Sequence, residues 1–229
     1  EEKFVALGTL SLKDTNWVDC RSAWRAPFLP AATGAWAEFI GLEDLFIYNG
    51  SGVMPGRTWV IAPDRESLEA RWSKLLSEKD PLEKERLFHP QLREGKVASR
   101  HIRKIVDQKL GTRTTRPFSI LVDTQDCEPA VRYGFRSFDR QWIVGDARVI
   151  NDVRPILWGS HSTRQVYLTG LEAHSPSSGP AVTFTDLIPD LHHYKGSFGG
   201  RAYPLWRDPS ATQSNIHPEL LTHLAEIYG

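Results

Sequence analysis

The stretch from Asp186 to Trp206 combines residue types that suit contact with an anionic partner. Paired histidines precede three glycines, which lie between Lys195 and Arg201. Because glycine has no Cβ, its backbone can approach a partner closely and adopt a positive φ, and cations beside it can bind phosphate groups. Two interpretations remain open. The stretch is either a contact loop for such a partner or a tight turn between strands, with its aromatic side chains in the core.

A second cationic stretch lies between residues 132 and 155, where five arginines are interspersed with three aspartates. A guanidinium group binds either phosphate or carboxylate in a bidentate geometry. The arginines therefore either contact a nucleic acid or form internal Arg–Asp pairs that fix loop geometry. The sequence leaves both interpretations open.

The strongest local excess of positive charge lies at residues 93–116, with eight lysines and arginines against Glu94 and Asp107. Ser99 can cap a helix that ends near Gly111. The exposed side of that helix would carry cations suited to following a phosphate backbone; the alternative is an ordinary solvated amphipathic helix. Phosphate contacts are predicted here from Lys96, Arg100, Arg103 and Lys104.

The glycines from Gly50 to Gly56 predict a loop, followed by a short strand over 58–62. Their spacing, G-x-G-x-x-x-G, fails the dinucleotide-binding pattern, and no GK[ST] follows that would form a phosphate loop. The loop places Arg57 and Thr58 beside flexible backbone. That position suits contact with a phosphate or a base.

No strong catalytic signature is present in the sequence. HExxH, HxH and Cys/His clusters of metal-ligand spacing are missing, and so is the G-x-S-x-G nucleophile elbow. Asp186 and Asp190 near Lys195 are only loosely similar to the acid-and-lysine set of metal-dependent nucleases. We therefore predict no catalytic residue, no metal site and no cofactor in this chain, which favours a binding module.

Helical and strand-like segments are mixed without strict βαβ alternation. This predicts an α+β fold, with a mixed, mainly antiparallel sheet, flanking amphipathic helices and long loops. Asp64 is a good N-cap for a helix with Leu68 and Trp72 at helical spacing. A second helix is expected over 82–88, and Pro218 begins a closing amphipathic helix. β-prone runs lie at 118–122, 131–135, 141–144, 165–169 and 181–185.

The composition is that of an ordinary soluble globular protein, with 229 residues, no net formal charge and 40% hydrophobic residues. The chain has no apolar run long enough to span a bilayer. Its two distant cysteines without CxxC favour a reducing, cytoplasmic location. The chain opens on Glu1 and its only methionine is Met54, which predicts a piece of something longer.

Four runs carry a family resemblance: GSGVMPGRTWVIAPD (50–64), EKERLFHPQLREGK (83–96), RYGFRSFDRQWI (132–143) and LIPDLHHYKGSFGGRAYPLWRD (187–208). They resemble the C-terminal specificity domain of Type ISP restriction–modification enzymes. The last two runs are long and specific, and the resemblance extends over most of the chain from about Trp24 onward. In that family one polypeptide joins a nuclease, a helicase-like translocase, an adenine-N6 methyltransferase and a terminal target-recognition domain.

The resemblance implies that residues 1–229 form a DNA target-recognition domain, with 1–30 as a connecting segment from an upstream methyltransferase domain. The partner would be double-stranded DNA carrying an asymmetric site. Methylation and cleavage, with their S-adenosylmethionine, ATP and Mg²⁺, would belong to upstream domains, because the [DNS]PP[YFW] methyltransferase motif is missing here. The enzyme is expected to be a cytoplasmic monomer that serves in phage defence, with no membrane partner.

The resemblance also suggests roles for individual residues. Arginine can read guanine and asparagine can read adenine in the major groove. Base or cleft contacts are expected from Arg57, Thr58, Arg136, Arg140, Arg148, Asn151 and Arg154. Further phosphate contacts are expected from Lys195, Ser197 and Arg201. Because 187–208 matches the family pattern so closely, we expect target-dependent readout at 136–154 instead.

Two other functions stay open. In a degenerate metal-dependent nuclease that uses Asp186, Asp190 and Lys195, Asp190→Ala would abolish metal-dependent cleavage. A structural module would brace the methyltransferase through the tryptophan-rich N-terminal segment, and would have no affinity for DNA at any salt concentration.

Overall fold

The computed structural model describes residues 41–88, 128–147, 149–171, 178–194 and 199–228, together with the strand pair at 92–93 and 96–97 and single positions between 5 and 40. The chain divides into two compact units, Glu1–Asp44 and Leu45–Gly229. Within these described ranges, no helix has the length and apolar character needed to cross a membrane.

Local sequence signals explain where the helices begin. Asp64 accepts a hydrogen bond from the backbone N–H of Ser67 at 2.7 Å, and this bond lowers the pKa of the exposed Asp64 carboxyl. Proline occupies the first position of three of the helices, where its missing N–H costs nothing. The helices among the described residues are α1 (Leu42–Leu45), α2 (Arg65–Ser77), α3 (Pro81–Phe88), α4 (Pro155–Gly159) and α5 (Pro218–Tyr228), and a 3₁₀ turn covers Thr58–Val60.

The strands form two four-stranded sheets and a separate pair within the described part of the chain. The strands are β1 (Gly50–Ser51), β2 (Ile61–Ala62), β3 (Leu92–Arg93), β4 (Lys96–Val97), β5 (Ala130–Arg136), β6 (Asp139–Val144), β7 (Tyr167–Gly170), β8 (Val182–Thr185), β9 (Ile188–Pro189) and β10 (Arg201–Pro204). Sheet A has the order β1-β10-β7-β8, and its neighbouring strands are antiparallel. Sheet B has the order β2-β6-β5-β9, in which β9 runs parallel to β5. The predicted α+β class is confirmed.

One buried cluster of apolar side chains joins both sheets to helix α2. Leu68, Trp72 and Leu75 of α2 lie in it together with Tyr133 of sheet B and Tyr167 of sheet A. Helix α2 also contacts strand β6 of sheet B, because the guanidinium of Arg65 lies 4.9 Å from the centre of the Trp142 ring. The two sheets therefore depend on the same core.

Residues 48–57, called here the 48–57 segment, link the two sheets through backbone hydrogen bonds. Its strand β1 pairs with β10 in sheet A. The N–H of Val53 then donates to Pro189 O at 2.9 Å, and the N–H of Leu191 donates to Val53 O at 2.7 Å. Met54 and Asp152 exchange two backbone hydrogen bonds of 3.0 Å. The segment is thus tied to both sheets and to the stretch before α4.

Most predicted elements occur, with some differences. Helices begin at Arg65, Pro81 and Pro218 as predicted to within one residue, and β5 to β8 lie within two residues of their predicted bounds. The predicted loop over 50–56 instead includes β1 and the bridges at Val53 and Met54. The predicted strand over 58–62 is wrong for its first half, because Thr58–Val60 forms a 3₁₀ turn. The predicted helix after Ser99 and the predicted strand at 118–122 lie outside the described residues.

Candidate functional site

A pocket of about 300 Å³ opens where separate stretches of the sequence meet. These stretches are the 48–57 segment with β2, the end of β5, and the residues that follow β9. They are far apart in the chain, so the pocket exists only in the folded protein. Its lining residues are Met54, Pro55, Gly56, Arg57, Ile61, Phe135, Arg136, Asp190 and His192.

A buried carboxylate, that of Asp190, belongs to one wall of the pocket, with 4% of its side chain exposed. Its Oδ1 accepts hydrogen bonds from Arg136 Nη1 at 2.9 Å and from the His192 N–H at 2.7 Å, and its Oδ2 accepts from the Tyr133 hydroxyl at 2.7 Å. Burial and the Asp190 charge raise the pKa of Tyr133 well above its usual value, so the phenol remains a neutral donor. Because both oxygens are hydrogen-bonded, the charge can be held inside the protein.

A β-bulge between Gly134 and Arg136 explains why consecutive side chains line the same pocket. In a regular strand Phe135 and Arg136 would point to opposite faces of the sheet, whereas a bulge shifts the register and re-aims a side chain. The guanidinium carbon of Arg136 lies 3.9 Å from the centre of the Phe135 ring. Arg136 is therefore positioned by an aromatic face and by the Asp190 carboxylate together.

The β5–β6 hairpin is anchored by the residues after β9. The carbonyl of His193 accepts hydrogen bonds from Ser137, from its N–H at 2.8 Å and its Oγ at 2.9 Å. The Nδ1 of His193 lies 2.8 Å from Gly134 O; because a carbonyl can only accept, Nδ1 carries the proton. Burial lowers the pKa of His193, which favours this neutral ring. These hydrogen bonds therefore hold the turn of the hairpin in place.

Arg57 also lines the pocket; it is buried and donates a hydrogen bond from Nη1 to the carbonyl of Val149. Gly56 has φ +75°, and the Asn151 side chain occupies the space where a Cβ would lie. The Asn151 N–H also donates to Pro55 O at 3.2 Å. These contacts hold the 149–152 stretch against the 48–57 segment, with the Arg57 side chain in the wall.

Glycine is required at position 52 because the backbone of the 48–57 segment lies directly against residues 190 and 191. A Cβ added to Gly52 would lie 2.6 Å from the carbonyl carbon of Asp190 and 2.8 Å from the nitrogen of Leu191. Main-chain atoms cannot move aside as a flexible side chain can. The close approach therefore joins the 48–57 segment to the residue whose carboxylate lines the pocket.

Two arginines, Arg154 and Arg201, act electrostatically on Tyr48 at the start of the 48–57 segment. Burial raises the pKa of the Tyr48 hydroxyl, while the positive charges of Arg154 and Arg201 act in the opposite direction. Arg154 forms a 2.7 Å ion pair with Asp152 and has a left-handed backbone with φ 52°. Such a conformation is unusual for a residue other than glycine and is often found at functional sites.

The predicted contact residues fall into different places. Arg57 and Arg136 line the pocket, and Asn151 packs against Gly56 at its wall. The charges of Arg154 and Arg201 act on Tyr48. Arg140 is on the surface, 3.9 Å from Asp186, and both side chains are more than half exposed. An exposed pair of this kind contributes little stability.

Six of the predicted contact residues lie outside the described residues: Arg100, Arg103, Lys104, Arg148, Lys195 and Ser197. For Thr58, in the 3₁₀ turn, and Lys96, in β4, the structure describes the backbone without the side chain. Their roles stay predictions.

Internal Arg–Asp pairs, the alternative interpretation of the arginine-rich stretch, occur at Arg136–Asp190 and Arg154–Asp152. Such a pair still leaves other N–H donors of the guanidinium for a second partner. For the nuclease alternative, Asp190 is buried, Asp186 is exposed and Lys195 is outside the described residues. Among the described side chains, no group of three or more His, Cys, Asp or Glu could hold a metal ion.

Sequence reasoning did not select Tyr133, Phe135 or His192 as site residues. The nearest signal was the RYGFRSF run, which places Tyr133 and Phe135 beside the predicted Arg136. The paired histidines were part of the predicted 186–206 contact stretch and were rejected as metal ligands, but no contact role was predicted for His192 itself. Their roles depend on the bulge in β5 and on the parallel pairing of β9, which have no local sequence pattern.

A pocket lined by Arg57 and Arg136 on an α+β scaffold belongs to the class of sites that can bind an anionic partner. The sequence matches the family model described as "Type ISP C-terminal specificity domain" over residues 44–229. The chain therefore belongs to the family of Type ISP C-terminal specificity domains, and the predicted resemblance is confirmed. This membership supports a role in DNA target recognition.

Three solved structures are similar to this chain at low sequence identity. A chain of the cryo-EM structure of a DrdV–DNA complex is 18% identical, with a TM-score of 0.47, and the match covers 80% of this chain and 18% of that one. A nuclease-deletion mutant of the Type ISP restriction–modification enzyme LlaGI, in complex with a DNA substrate mimic, is 12% identical with a TM-score of 0.48, covering 81% and 15%. The ATP-dependent Type ISP enzyme LlaBIII bound to DNA is 14% identical with a TM-score of 0.49, covering 80% and 12%.

The present chain thus corresponds to less than a fifth of the length of each of these chains. No curated protein matched it.

Proposed function

We propose that this chain recognises a specific, asymmetric sequence in double-stranded DNA on behalf of a Type ISP restriction–modification enzyme. Membership of the specificity-domain family over residues 44–229 is the observation that carries the proposal. The domain itself performs no catalysis. It positions the enzyme on its target, and adenine-N6 methylation and DNA cleavage are performed by upstream domains of the same polypeptide.

The pocket supports this proposal through its arginines and its rigidity. Arg57 and Arg136 line it, and Asp190 pairs with Arg136. A guanidinium group can donate two parallel hydrogen bonds to the O6 and N7 atoms of guanine or to a phosphate. Because the bulge, the Phe135 ring and Asp190 already position Arg136, little side-chain entropy would be lost when it binds.

The contacts predicted from the sequence and the family resemblance are part of the same proposal. Base or cleft contacts come from Arg57, Thr58, Arg136, Arg140, Arg148, Asn151 and Arg154. Phosphate contacts come from Lys96, Arg100, Arg103, Lys104, Lys195, Ser197 and Arg201. This division follows the general pattern in which phosphate contacts fix the register and base contacts give the sequence.

The whole enzyme is proposed to use S-adenosylmethionine, ATP and Mg²⁺ in its upstream domains. It is proposed to act as a cytoplasmic monomer in phage defence. The present domain would need none of these cofactors in order to bind DNA.

Selection from a library of randomised duplexes tests the proposed function. Duplexes retained by the full chain are amplified, reselected and sequenced, and we expect one asymmetric motif to be enriched. Arg136→Lys keeps a positive charge beside Asp190 but loses the planar bidentate fork. It should weaken the base preference at one position of the motif by about 1–3 kcal/mol of binding free energy. The preferences at the other positions should be unchanged.

Arg164→Ala serves as the matched control, because Arg164 is an exposed arginine that contacts the carbonyl of Ser210 instead of the pocket. It should select the same motif as the wild-type chain. A wild-type selection without any enriched motif would contradict the proposed function.

A further inference from the structure

The tip of the β5–β6 hairpin exposes an entire aromatic ring. Phe138 has a relative exposure of 102%. The turn consists of Ser137 and Phe138, between the paired residues Arg136 and Asp139. Burial of a phenylalanine ring is strongly favourable in water, yet the fold makes no use of this one. Its apolar area is available to a partner.

The ring stands on a backbone that is held in place. Ser137 donates from its N–H and its Oγ to the carbonyl of His193, at 2.8 and 2.9 Å. On one side of the turn Arg136 is paired with Asp190, and on the other the Asp139 carboxylate accepts a hydrogen bond from the Gln141 side chain. Binding through Phe138 would therefore need little additional ordering of the main chain.

The position of the ring and the arginines around it favour a nucleic acid as the partner. Phe138 is two residues from Arg136, so at most about 7 Å of extended chain separates it from a residue of the pocket wall. Residues 132–140 contain three arginines, of which Arg136 is paired with Asp190 and the exposed Arg140 lies 3.9 Å from Asp186. A paired guanidinium keeps further N–H donors for phosphate, and an exposed apolar ring beside such groups matches the flat base faces and phosphates that DNA presents.

We propose that Phe138 inserts at a base step of the bound duplex and stacks against a base that the insertion partly exposes. Apolar side chains inserted in this way unstack and kink DNA. This inference rests on the proposed function and adds to it a residue that deforms the duplex beside the pocket. Base steps differ in how easily they unstack. Insertion of Phe138 would therefore favour target sequences that have an easily unstacked step at that position.

The test compares Phe138→Ala with the wild-type full chain, on the duplex obtained from the selection described above and labelled for fluorescence anisotropy. Loss of one stacked base should weaken binding roughly 5- to 150-fold. Phe138→Trp keeps an aromatic face and should restore most of the affinity. Phe184→Ala is the matched control, because Phe184 is another exposed phenylalanine, at 71%, on β8 of the other sheet; it should bind as the wild type does.

A second measurement reports the unstacking itself. The adenine analogue 2-aminopurine is placed in turn at each step of the selected duplex, and its fluorescence rises when it is unstacked. The wild-type chain and Phe138→Trp should raise the signal at one step, and Phe138→Ala should not. Because the side chain is exposed, unfolding midpoints should be the same for these variants.

The possible failures are distinguishable. If the wild-type chain binds and selects a motif, but Phe138→Ala binds it with unchanged affinity and an unchanged 2-aminopurine signal, the stacking role is overturned and the proposed function stands. If the wild-type chain binds no duplex, both are overturned. If Phe138→Ala and Phe184→Ala weaken binding equally, the effect is not specific to the hairpin tip, and the proposal is overturned.

Discussion

Removal of Arg136 should destabilise the protein more than neutralisation of its partner Asp190. Arg136→Ala leaves the Asp190 carboxylate, which is 4% exposed, buried without its counter-charge. Removing one partner of a buried pair typically costs about 3–5 kcal/mol for this reason. Asp190→Asn instead leaves a guanidinium that is 36% exposed and can be hydrated.

The smaller cost of Asp190→Asn follows from the hydrogen bonds that survive. The amide oxygen can still accept from Arg136 and from the His192 N–H, as Oδ1 does now. The Tyr133 hydroxyl can turn to Val53 O, which lies at 3.2 Å, and accept from the new amide group. The substitution removes the negative charge that strengthens these hydrogen bonds, which should lower the free energy of unfolding by about 1–2 kcal/mol.

Urea unfolding followed by tryptophan fluorescence measures both costs. With an m-value of about 2 kcal/mol per M, Arg136→Ala should lower the midpoint by about 1.5–2.5 M and Asp190→Asn by about 0.5–1 M. In the double variant no carboxylate is left without its counter-charge at position 190. The further cost of removing Arg136 in the Asp190→Asn background should therefore fall to about 1–2 kcal/mol.

Equal destabilisation by the two single variants would refute this reasoning, since it requires the carboxylate to be the buried member of the pair. Additive effects in the double variant, to within about 0.5 kcal/mol, would refute it as well. They would mean that Arg136 and Asp190 are not coupled, and that Asp190 does not position the arginine.

Further predictions concern acid stability, backbone packing and salt dependence. Because burial lowers the pKa of His193, its contribution to stability is complete above the unfolded histidine pKa of about 6.5 and is lost as the pH falls through the lower folded value. His193→Gln should reduce the acid-induced drop in unfolding midpoint. Gly52→Ala should destabilise the protein by about 1–3 kcal/mol or more, because its Cβ would overlap main-chain atoms; Gly159→Ala, with nothing within 4 Å of the added Cβ, should be neutral or slightly stabilising in the same urea assay. If about four to six phosphates are contacted, log K against log salt should have a slope of roughly −4 to −5. Replacing Arg103 and Lys104 should flatten it for all duplexes, and an unchanged slope would remove their phosphate role.

Local signals made much of the fold predictable. The Asp64 cap and the spacing of Leu68 and Trp72 gave the start and the buried face of α2, because a capped helix with an apolar stripe is encoded within a few residues. The alternating β-prone runs gave β5 to β8 for the same reason. At Thr58–Val60 the local rule failed: the segment forms a 3₁₀ turn, and the Arg71 side chain, distant in sequence, donates a hydrogen bond to Trp59 O at 3.0 Å.

The arrangement of the site was less predictable, because it depends on contacts between distant residues. Arg136 was selected for its charge, but its pairing with Asp190 requires β9 to run parallel to β5. Gly52 was taken as a source of flexibility, whereas its small size admits the backbone of residues 190 and 191. The type of a residue indicates which interactions it can make. The pairing of strands decides which residues come close enough to make them.

The most direct test of sequence-specific recognition is a ratio of two affinities. The intact protein that carries this domain is titrated at about 0.15 M salt, with the selected duplex and with a duplex of the same composition whose site is scrambled. We expect the selected duplex to bind about 10³-fold more tightly or better, as specific DNA-binding proteins do. A ratio near one, with the same steep salt dependence for both duplexes, would show phosphate binding alone and would contradict the proposed recognition of a target sequence.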